Sequence, residues 1–153
     1  METAVIGGAV LAYLWAMTSD LLYRRISNRL CLILLVLGLL LWPLGLVSAH
    51  GMALRLGMGL AIFAVGVVLH ALRLFGGGDI KLMAASMPIL GASALPFLVH
   101  TALYGGLLAL FVLAAMRLRQ RGSTAWLVAR LSDGGVPYGL AIGIAGMQAL
   151  FSL

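Results

Sequence analysis

The sequence predicts an all-α integral membrane protein, a bundle of about six transmembrane helices with both termini on the extracytoplasmic side. Three observations predict this class. Hydrophobic residues make up 63% of the 153 positions and charged residues only 9%, whereas soluble domains are about 25% charged. The apolar residues form runs of up to about 20 positions, the length at which a helix crosses a bilayer. The basic residues fall on alternate connections between these runs, as they do in multi-span proteins.

The composition also limits the domain organisation and the partners. Six spans of roughly 20 residues with short turns use the whole length, so we expect one membrane-embedded domain over residues 1–153. The net charge of +6 does not indicate nucleic acid, because the arginines cluster between apolar runs and not along one polar face. The expected environment of the chain is the lipid bilayer.

The cysteine and histidine residues argue against a metal site. Cys31 is the only cysteine, which excludes a disulfide or a cysteine zinc site within one chain, and we expect it to pack as a small core residue. His50, His70 and His100 do not show the spacing of metal ligands. We therefore predict no metal and no cofactor.

The first apolar run, from about Ala4 to Tyr23, carries the acid Asp20. The helix face that includes this acid has a small residue at every fourth position: Gly8, Ala12 and Ala16. Membrane helices pack closely along such faces, so we expect Asp20 to point into the bundle. No basic residue precedes the run and three arginines follow it, which predicts a retained span with its N-terminus outside.

The next two runs predict an outward and a returning span. The second run, about Leu30 to Val47, carries Trp42 and Pro43 near its outer end, where an aromatic residue fits the membrane interface. A short connection with Arg55 as its single arginine then leads into the third run, about Met52 to Phe75.

The fourth run is the shortest. From Asp79 the sequence is apolar only to about Leu90, and Gly91 and Pro96 mark a break. We expect this span to be tilted, broken or surrounded by protein, because irregular backbone is tolerated at membrane depth only away from lipid. The fifth run, about Phe97 to Met116, returns to the cytoplasmic side.

The remaining residues predict a surface helix, a turn and a last span. Residues 123–131 fit a short interfacial helix anchored by Trp126, with Ser123 as its N-cap. Asp133 to Gly135 predicts a turn. The final run, Val136 to Leu153, has two glycines four residues apart, which indicates tight packing against a neighbouring helix.

The distribution of basic residues supports this topology. Nine of them lie on one side and only Arg55 lies on the other. The nine are Arg24, Arg25, Arg29, Arg73, Lys81, Arg117, Arg119, Arg121 and Arg130. Because positively charged connections stay in the cytoplasm, Asp20 and Asp79 are both predicted near the cytoplasmic ends of their spans. The two acids can therefore meet at one membrane face.

The segment Gly76 to Leu82, which reads GGGDIKL, suggests what these acids do. Glycines without a Cβ leave the backbone free to adopt positive φ and open to close approach by another chain. Two aspartates within a few ångströms share a proton and so supply an acid and a base together. The base deprotonates a water that attacks a peptide carbonyl, and the acid hydrogen-bonds the carbonyl oxygen. This is the chemistry of aspartic proteases.

These residues resemble the type IV prepilin peptidases, membrane aspartic proteases of the GxGD class, and in particular the short form associated with tight-adherence (Tad) pili. The first glycine of GxGDxKL matches Gly76 or Gly77, and Gly78 and Asp79 complete it. Asp20 followed by Arg25-Ile26-Ser27-Asn28 resembles the first-aspartate segment, and Val136-Pro137-Tyr138-Gly139 resembles the pattern that opens the last span.

The resemblance implies that the chain removes a short basic leader from prepilin-like precursors at the cytoplasmic face of the bacterial inner membrane. It also implies that the cut falls just before the hydrophobic segment of the pilin. It implies Asp20 and Asp79 as the catalytic pair. The supporting motif residues would be Gly76, Gly77, Gly78, Lys81 and Asn28. The implied partners are the precursor and the machinery that assembles pili. Larger members carry paired cysteines and methylate the new N-terminus; with one cysteine, this chain is not expected to do so.

Structural roles stay open for each of these residues. Asp79 after a glycine run is also typical of a helix N-cap, and Asp20 of an ion pair with Arg24, four residues along the helix. Lys81 is also typical of a cation that anchors the end of a span at the interface. Asn28 is equally typical of an ordinary turn.

Two other functions are also compatible with the sequence. A small proton- or ion-coupled transporter or channel subunit uses intramembrane acids to relay a cation. Transporters are often built from internal repeats, and the two halves of this chain show no convincing similarity. A structural subunit of a pilus or secretion complex would use the acids only to pack helices.

Overall fold

The computed structural model describes residues 2–119 and 136–152 and is all-helical in these two ranges. Short connections join the helices, and a 3₁₀ turn at Gly91–Ser93 links α4 to α5. The helices are α1 (Glu2–Tyr23), α2 (Asn28–Leu40), α3 (Ala49–Ala71), α4 (Gly77–Leu90), α5 (Ala94–Arg119) and α6 (Tyr138–Phe151). The predicted surface helix at 123–131 and the turn at 133–135 lie outside the described residues.

Within residues 2–119 and 136–152, three stretches are long and apolar enough to cross a membrane. They are Thr3–Tyr23, Ala49–Ala71 and Gly77–Ala114, the last of which combines α4, the 3₁₀ turn and α5. Helices α2 and α6 are apolar but shorter. The all-α membrane class is therefore supported, whereas the number of six spans and the outside position of both termini stay predictions.

Helix α4 lies at the centre of the bundle. It packs against α2, α3 and α6, and its residues from Ala85 to Leu90 are buried without interruption. Its 14 residues extend only about 21 Å, less than the roughly 30 Å hydrocarbon core of a bilayer. The expectation of a short fourth span surrounded by protein agrees with this arrangement, because neighbouring helices cover the part that lipid would otherwise reach.

Small residues allow α4 to pack closely on both sides. A Cβ added to Gly38 of α2 would lie 2.6 Å from the Cβ of Pro88, and one added to Gly59 of α3 would lie 2.9 Å from the carbonyl oxygen of Ala84. A Cβ on Gly66 would overlap the side chain of Ile80. Backbones approach this closely in membrane bundles where the side chain is only a hydrogen.

Helices α1 and α6 pack in the same way. The predicted face of α1 is buried at Ala12, Ala16 and Asp20, so the acid points into the protein. Opposite it, α6 presents Gly143 and Gly146, where an added Cβ would overlap the side chains of Met17 and Tyr13, respectively. The expectation that the last span packs tightly is therefore met.

The helix boundaries on both sides of the connection between α2 and α3 differ from the sequence prediction. Helix α2 ends at Leu40, because Pro43 restricts the residue before it and lacks the N–H that a continuing helix needs. Helix α3 begins at Ala49, where the side chain of Ser48 accepts a hydrogen bond from the Gly51 amide at 3.1 Å. Arg55 therefore lies within α3 and not in a connection.

Arg55 donates a hydrogen bond to the C-terminal end of α4. Its Nη1 donates to the carbonyl oxygen of Pro88 at 3.1 Å, one of the terminal carbonyls that lack a partner within the helix. Its guanidinium lies against Gly91, whose φ of +51° turns the chain out of α4. The break predicted at Gly91 and Pro96 thus occurs at Gly91, and Pro96 is accommodated in the first turn of α5.

The packing of Gly66 can be tested with a matched pair of variants. We expect Gly66→Val to lower the free energy of unfolding by about 1–3 kcal/mol, the usual cost of overpacking, because the added atoms overlap Ile80. Gly57→Val lies on the same helix and meets nothing within 4 Å, so we expect it to change stability little. Thermal unfolding in detergent measures both, and equal losses would contradict this account of the α3–α4 contact.

Candidate active site

The two predicted acids line one cleft of about 590 Å³ at one end of the bundle. We call this the aspartate end; α1 and α3 end here, and α2, α4 and α6 begin here. The C-terminal turn of α1, the connection to α2 and the start of α4 form its walls. The lining residues are Ser19, Asp20, Tyr23, Arg24, Arg25, Ile26, Ser27, Gly76, Gly77, Gly78 and Asp79.

Asp20 is fixed by a backbone group from a distant part of the chain. It is only 7% exposed, and its Oδ2 accepts a hydrogen bond from the Gly139 amide at 2.8 Å. Gly139 lies in the first turn of α6, where a Cβ would come within 2.7 Å of the Asp20 Cβ. Only glycine therefore allows the α6 backbone to approach this carboxylate so closely.

Asp79 lies in the first turn of α4, within electrostatic range of Asp20. The charge of Asp20 acts directly on the Asp79 carboxyl group. The helix begins after Gly76, which holds the N-cap position, so Asp79 is the third helical residue. The alternative that Asp79 is itself the N-cap is therefore wrong.

The three glycines before Asp79 have different surroundings. A Cβ on Gly76 would lie 2.5 Å from Oδ2 of Asp79, and one on Gly78 would lie 3.1 Å from the Cβ of Ile26. A Cβ on Gly77 would make only ordinary contact with the His70 ring, at 3.5 Å. The two crowded positions, Gly76 and Gly78, are thus the two glycines that the spacing of the Gly-x-Gly-Asp pattern selects before Asp79.

The reason for these glycines is space and not unusual backbone geometry. Gly45 and Gly91 are the described glycines with positive φ, and Gly76 has an ordinary φ of −70°. The expected freedom to adopt positive φ is therefore not used in this run. The glycines instead allow other groups to approach the backbone closely. The Asp79 carboxylate lies where a Cβ of residue 76 would be, and Ile26 lies close to where a Cβ of residue 78 would be.

The alternative pairing of Asp20 with Arg24 is partly present. Arg24 ends α1 in a left-handed conformation with φ of +54°, and its amide donates to the carbonyl oxygen of Asp20 at 3.0 Å. Its positive charge also acts on the Asp20 carboxylate. Both residues line the cleft, so this electrostatic interaction belongs to the same site as Asp79.

Lys81 and Asn28 connect two walls of the site. Nζ of Lys81 donates to Oδ1 of Asn28 at 3.1 Å, which joins the first turn of α4 to the first residue of α2. Lys81 is exposed, as an anchoring cation would be, but its charge is directed to a specific side chain. Asn28 therefore braces the connection that carries Ile26.

The sequence prediction did not include Gly139 in the site. The Val136-Pro137-Tyr138-Gly139 pattern was its signal, because it places a glycine directly after an aromatic residue at the start of a span. The Tyr138 ring packs against Phe75, with centroids 5.4 Å apart, and against Gly105 of α5. These contacts fix the start of α6 beside Asp20.

Histidine has a structural role at this end. Nδ1 of His70 and the carbonyl oxygen of Phe75 are hydrogen-bonded at 2.9 Å, which holds the connection between α3 and α4. Among the described residues, no group of three or more His, Cys, Asp or Glu side chains is arranged to hold a metal ion.

The comparisons with known proteins agree with this geometry. Residues 8–118 match the model of a family described as the type IV leader peptidase family. This range contains both aspartates and the glycine run. No curated protein and no solved structure is similar enough to the chain to count as a match.

The glycine assignment predicts unequal effects of adjacent substitutions. Gly76→Ala should lower peptidase activity by about a hundredfold, because the new Cβ displaces the Asp79 carboxylate and misplacement by about 1 Å is that costly. Gly77→Ala should lower the activity much less, because its Cβ makes only ordinary contact with the His70 ring and leaves the Asp79 carboxylate in place. Cleavage rates of both variants, with their unfolding temperatures as a control for folding, test this. Equal loss of activity would contradict the assignment.

Proposed function

Because the chain belongs to the type IV leader peptidase family, we propose that it removes the short leader peptide from prepilin-like precursors, with Asp20 and Asp79 as its catalytic pair. The observation that carries the proposal is that two acids 59 positions apart line one cleft. We further propose that it acts in the bacterial inner membrane with this cleft toward the cytoplasm, as expected for the Tad pilus type.

The chemistry requires one proton shared between the two carboxyl groups. The ionised aspartate takes a proton from a water molecule, and the water oxygen forms a bond to the carbonyl carbon of the scissile peptide. The protonated aspartate meanwhile donates to the carbonyl oxygen, so that a neutral tetrahedral diol forms. Proton transfer to the peptide nitrogen then breaks the C–N bond and releases a carboxyl group and an amine.

The surroundings of Asp20 suit this role. The amide of Gly139 fixes one carboxylate oxygen, so the side chain cannot rotate away from the cleft without losing a hydrogen bond in a buried place. The same contact makes α6 part of the site. We infer that α6 positions Asp20 and that the first turn of α4 positions Asp79.

The substrate enters along the glycine run. Gly76, Gly77 and Gly78 line the cleft beside Asp79 without side chains, so an extended peptide backbone can approach the carboxylates closely. The remaining walls are polar or charged, with Arg24 and Ser27 among them. They suit the polar residues of a leader peptide better than an apolar segment.

Two isosteric substitutions test the catalytic pair. We expect Asp20→Asn and Asp79→Asn each to lower leader removal by at least about a hundredfold, because a carboxamide can neither accept the proton of water nor return it. The measurement is the size of a co-expressed prepilin on a gel, before and after leader loss.

The control substitution is Asp133→Asn, at an acid that we place outside the catalytic pair. It should leave processing unchanged, and all three variants should accumulate in the membrane to the same level. If both Asp20→Asn and Asp79→Asn still process the precursor normally, the proposal is wrong. That result would favour an ion-coupled transporter or a structural subunit.

A further inference from the structure

A second, apolar groove of about 490 Å³ lies beside the candidate active site. Helices α2 and α3 both pack on α4 but make little contact with each other, so a groove remains between them with α4 as its floor. Ala84 and Ala85 of α4 line this floor, and their small side chains leave space between α2 and α3. The lining residues are Asn28, Cys31, Leu32, Leu35, Leu56, Gly59, Leu60, Phe63, Lys81, Ala84, Ala85 and Pro88. We call it the α2–α3 groove.

The α2–α3 groove continues the catalytic cleft. Ser27 and Asp79 line the cleft, and Asn28 and Lys81, which follow them on the same two segments, line the groove. The Lys81–Asn28 hydrogen bond spans these segments where the two depressions meet. From there the groove follows α4 to Pro88, seven residues or about 10 Å away, which is about two helical turns.

The polarity changes along this path. The cleft is lined by two acids, two arginines and two serines, whereas Asn28 and Lys81 are the polar side chains of the groove. Leu32 on α2 and Leu60 on α3 form its outer walls and are 59% and 70% exposed, respectively. An occupant of the groove must therefore be apolar, with polar groups only at the end nearest the acids.

We propose that the α2–α3 groove holds the first two turns of the apolar segment that follows the scissile bond of the substrate protein. This inference rests on the proposed function. The order of surfaces along the enzyme, polar cleft and then apolar groove, matches the order along such a substrate, polar leader and then apolar helix. Asn28 and Lys81 lie where the substrate chain changes from extended to helical. Their side-chain N–H groups suit the carbonyls of the extended residues before the helix, which have no partner within the substrate.

Another apolar depression of the protein is less suited to the apolar segment of the substrate than the α2–α3 groove. It lies on the other side of α3, between α3, α4 and α5, and includes Ala61 and Phe75. All of its lining side chains are apolar, so it offers no donors where the substrate backbone leaves the site. It adjoins the cleft only through the start of α4, at Phe75 and Ile80, whereas the α2–α3 groove also continues the connection between α1 and α2 at Asn28.

Disulfide cross-linking tests whether the apolar segment of the substrate lies in the α2–α3 groove. The background variant combines Cys31→Ser, which removes the only native thiol, with Asp79→Asn, which keeps the precursor uncleaved. Leu60→Cys and Leu32→Cys place one thiol on each wall of the groove. Single cysteines are placed at each of the first eight positions after the scissile bond of the precursor, and the membranes are oxidised with copper phenanthroline.

We expect both wall positions to form disulfides with the precursor, each with a different helical face of the apolar segment. Ala61→Cys is the matched control, because it lies next to Leu60 on α3 but lines the other depression. It should form no such product.

Three outcomes would overturn the proposal. Cross-links from Ala61→Cys alone would place the segment in the other depression, and disulfides between two enzyme chains would assign the groove to self-association. No disulfide from either wall would show that the apolar segment of the substrate does not lie in the groove. If the wild-type chain still removes the leader in the same membranes, any of these outcomes rejects the groove and leaves the proposed function intact.

Discussion

The arrangement of this protein depends on holding two carboxyl groups in one cleft of a mostly apolar bundle. Carboxylates that are buried together repel each other and lose their water, so neither stays in place unless the surrounding chain fixes it. Asp20 is fixed by the Gly139 amide of α6 and by the charge of Arg24. Asp79 is fixed by its place in the first turn of the central helix. The pair therefore requires α1, α4 and α6 together.

Glycine has two separate uses in this bundle. Along α4 it lets neighbouring helices approach, as Gly38 and Gly66 do, and this packing centres the helix that carries Asp79. At the aspartate end, Gly76 and Gly139 make room for the carboxylates themselves. The first use concerns stability and the second concerns the geometry of the acids. Gly57, which faces open space, belongs to neither group.

Much of the fold follows from the sequence because its signals are carried by side chains. Apolar runs and small-residue faces predicted the helices and the inward position of Asp20, and the alternation of basic residues placed Asp20 and Asp79 at one end. The contact of Gly139 with Asp20 was not predictable in this way, because a backbone amide has no side-chain signature and its partner lies 119 positions away. Similarly, three consecutive glycines look alike until the neighbours of each one are known. The boundaries of α2 and α3 were missed because capping and proline effects act over one or two residues.

The hydrogen bond between Gly139 and Asp20 also sets an order of events during synthesis. A ribosome delivers α1 with its aspartate first, and the glycine that fixes this aspartate emerges 119 residues later. At typical elongation rates of about 5–20 residues per second, this interval lasts several seconds or more. During about the second half of this interval, the nascent chain already holds both acids but lacks the amide that positions one of them. Asp20 therefore gains its buried hydrogen-bond partner only after the last helix has been made.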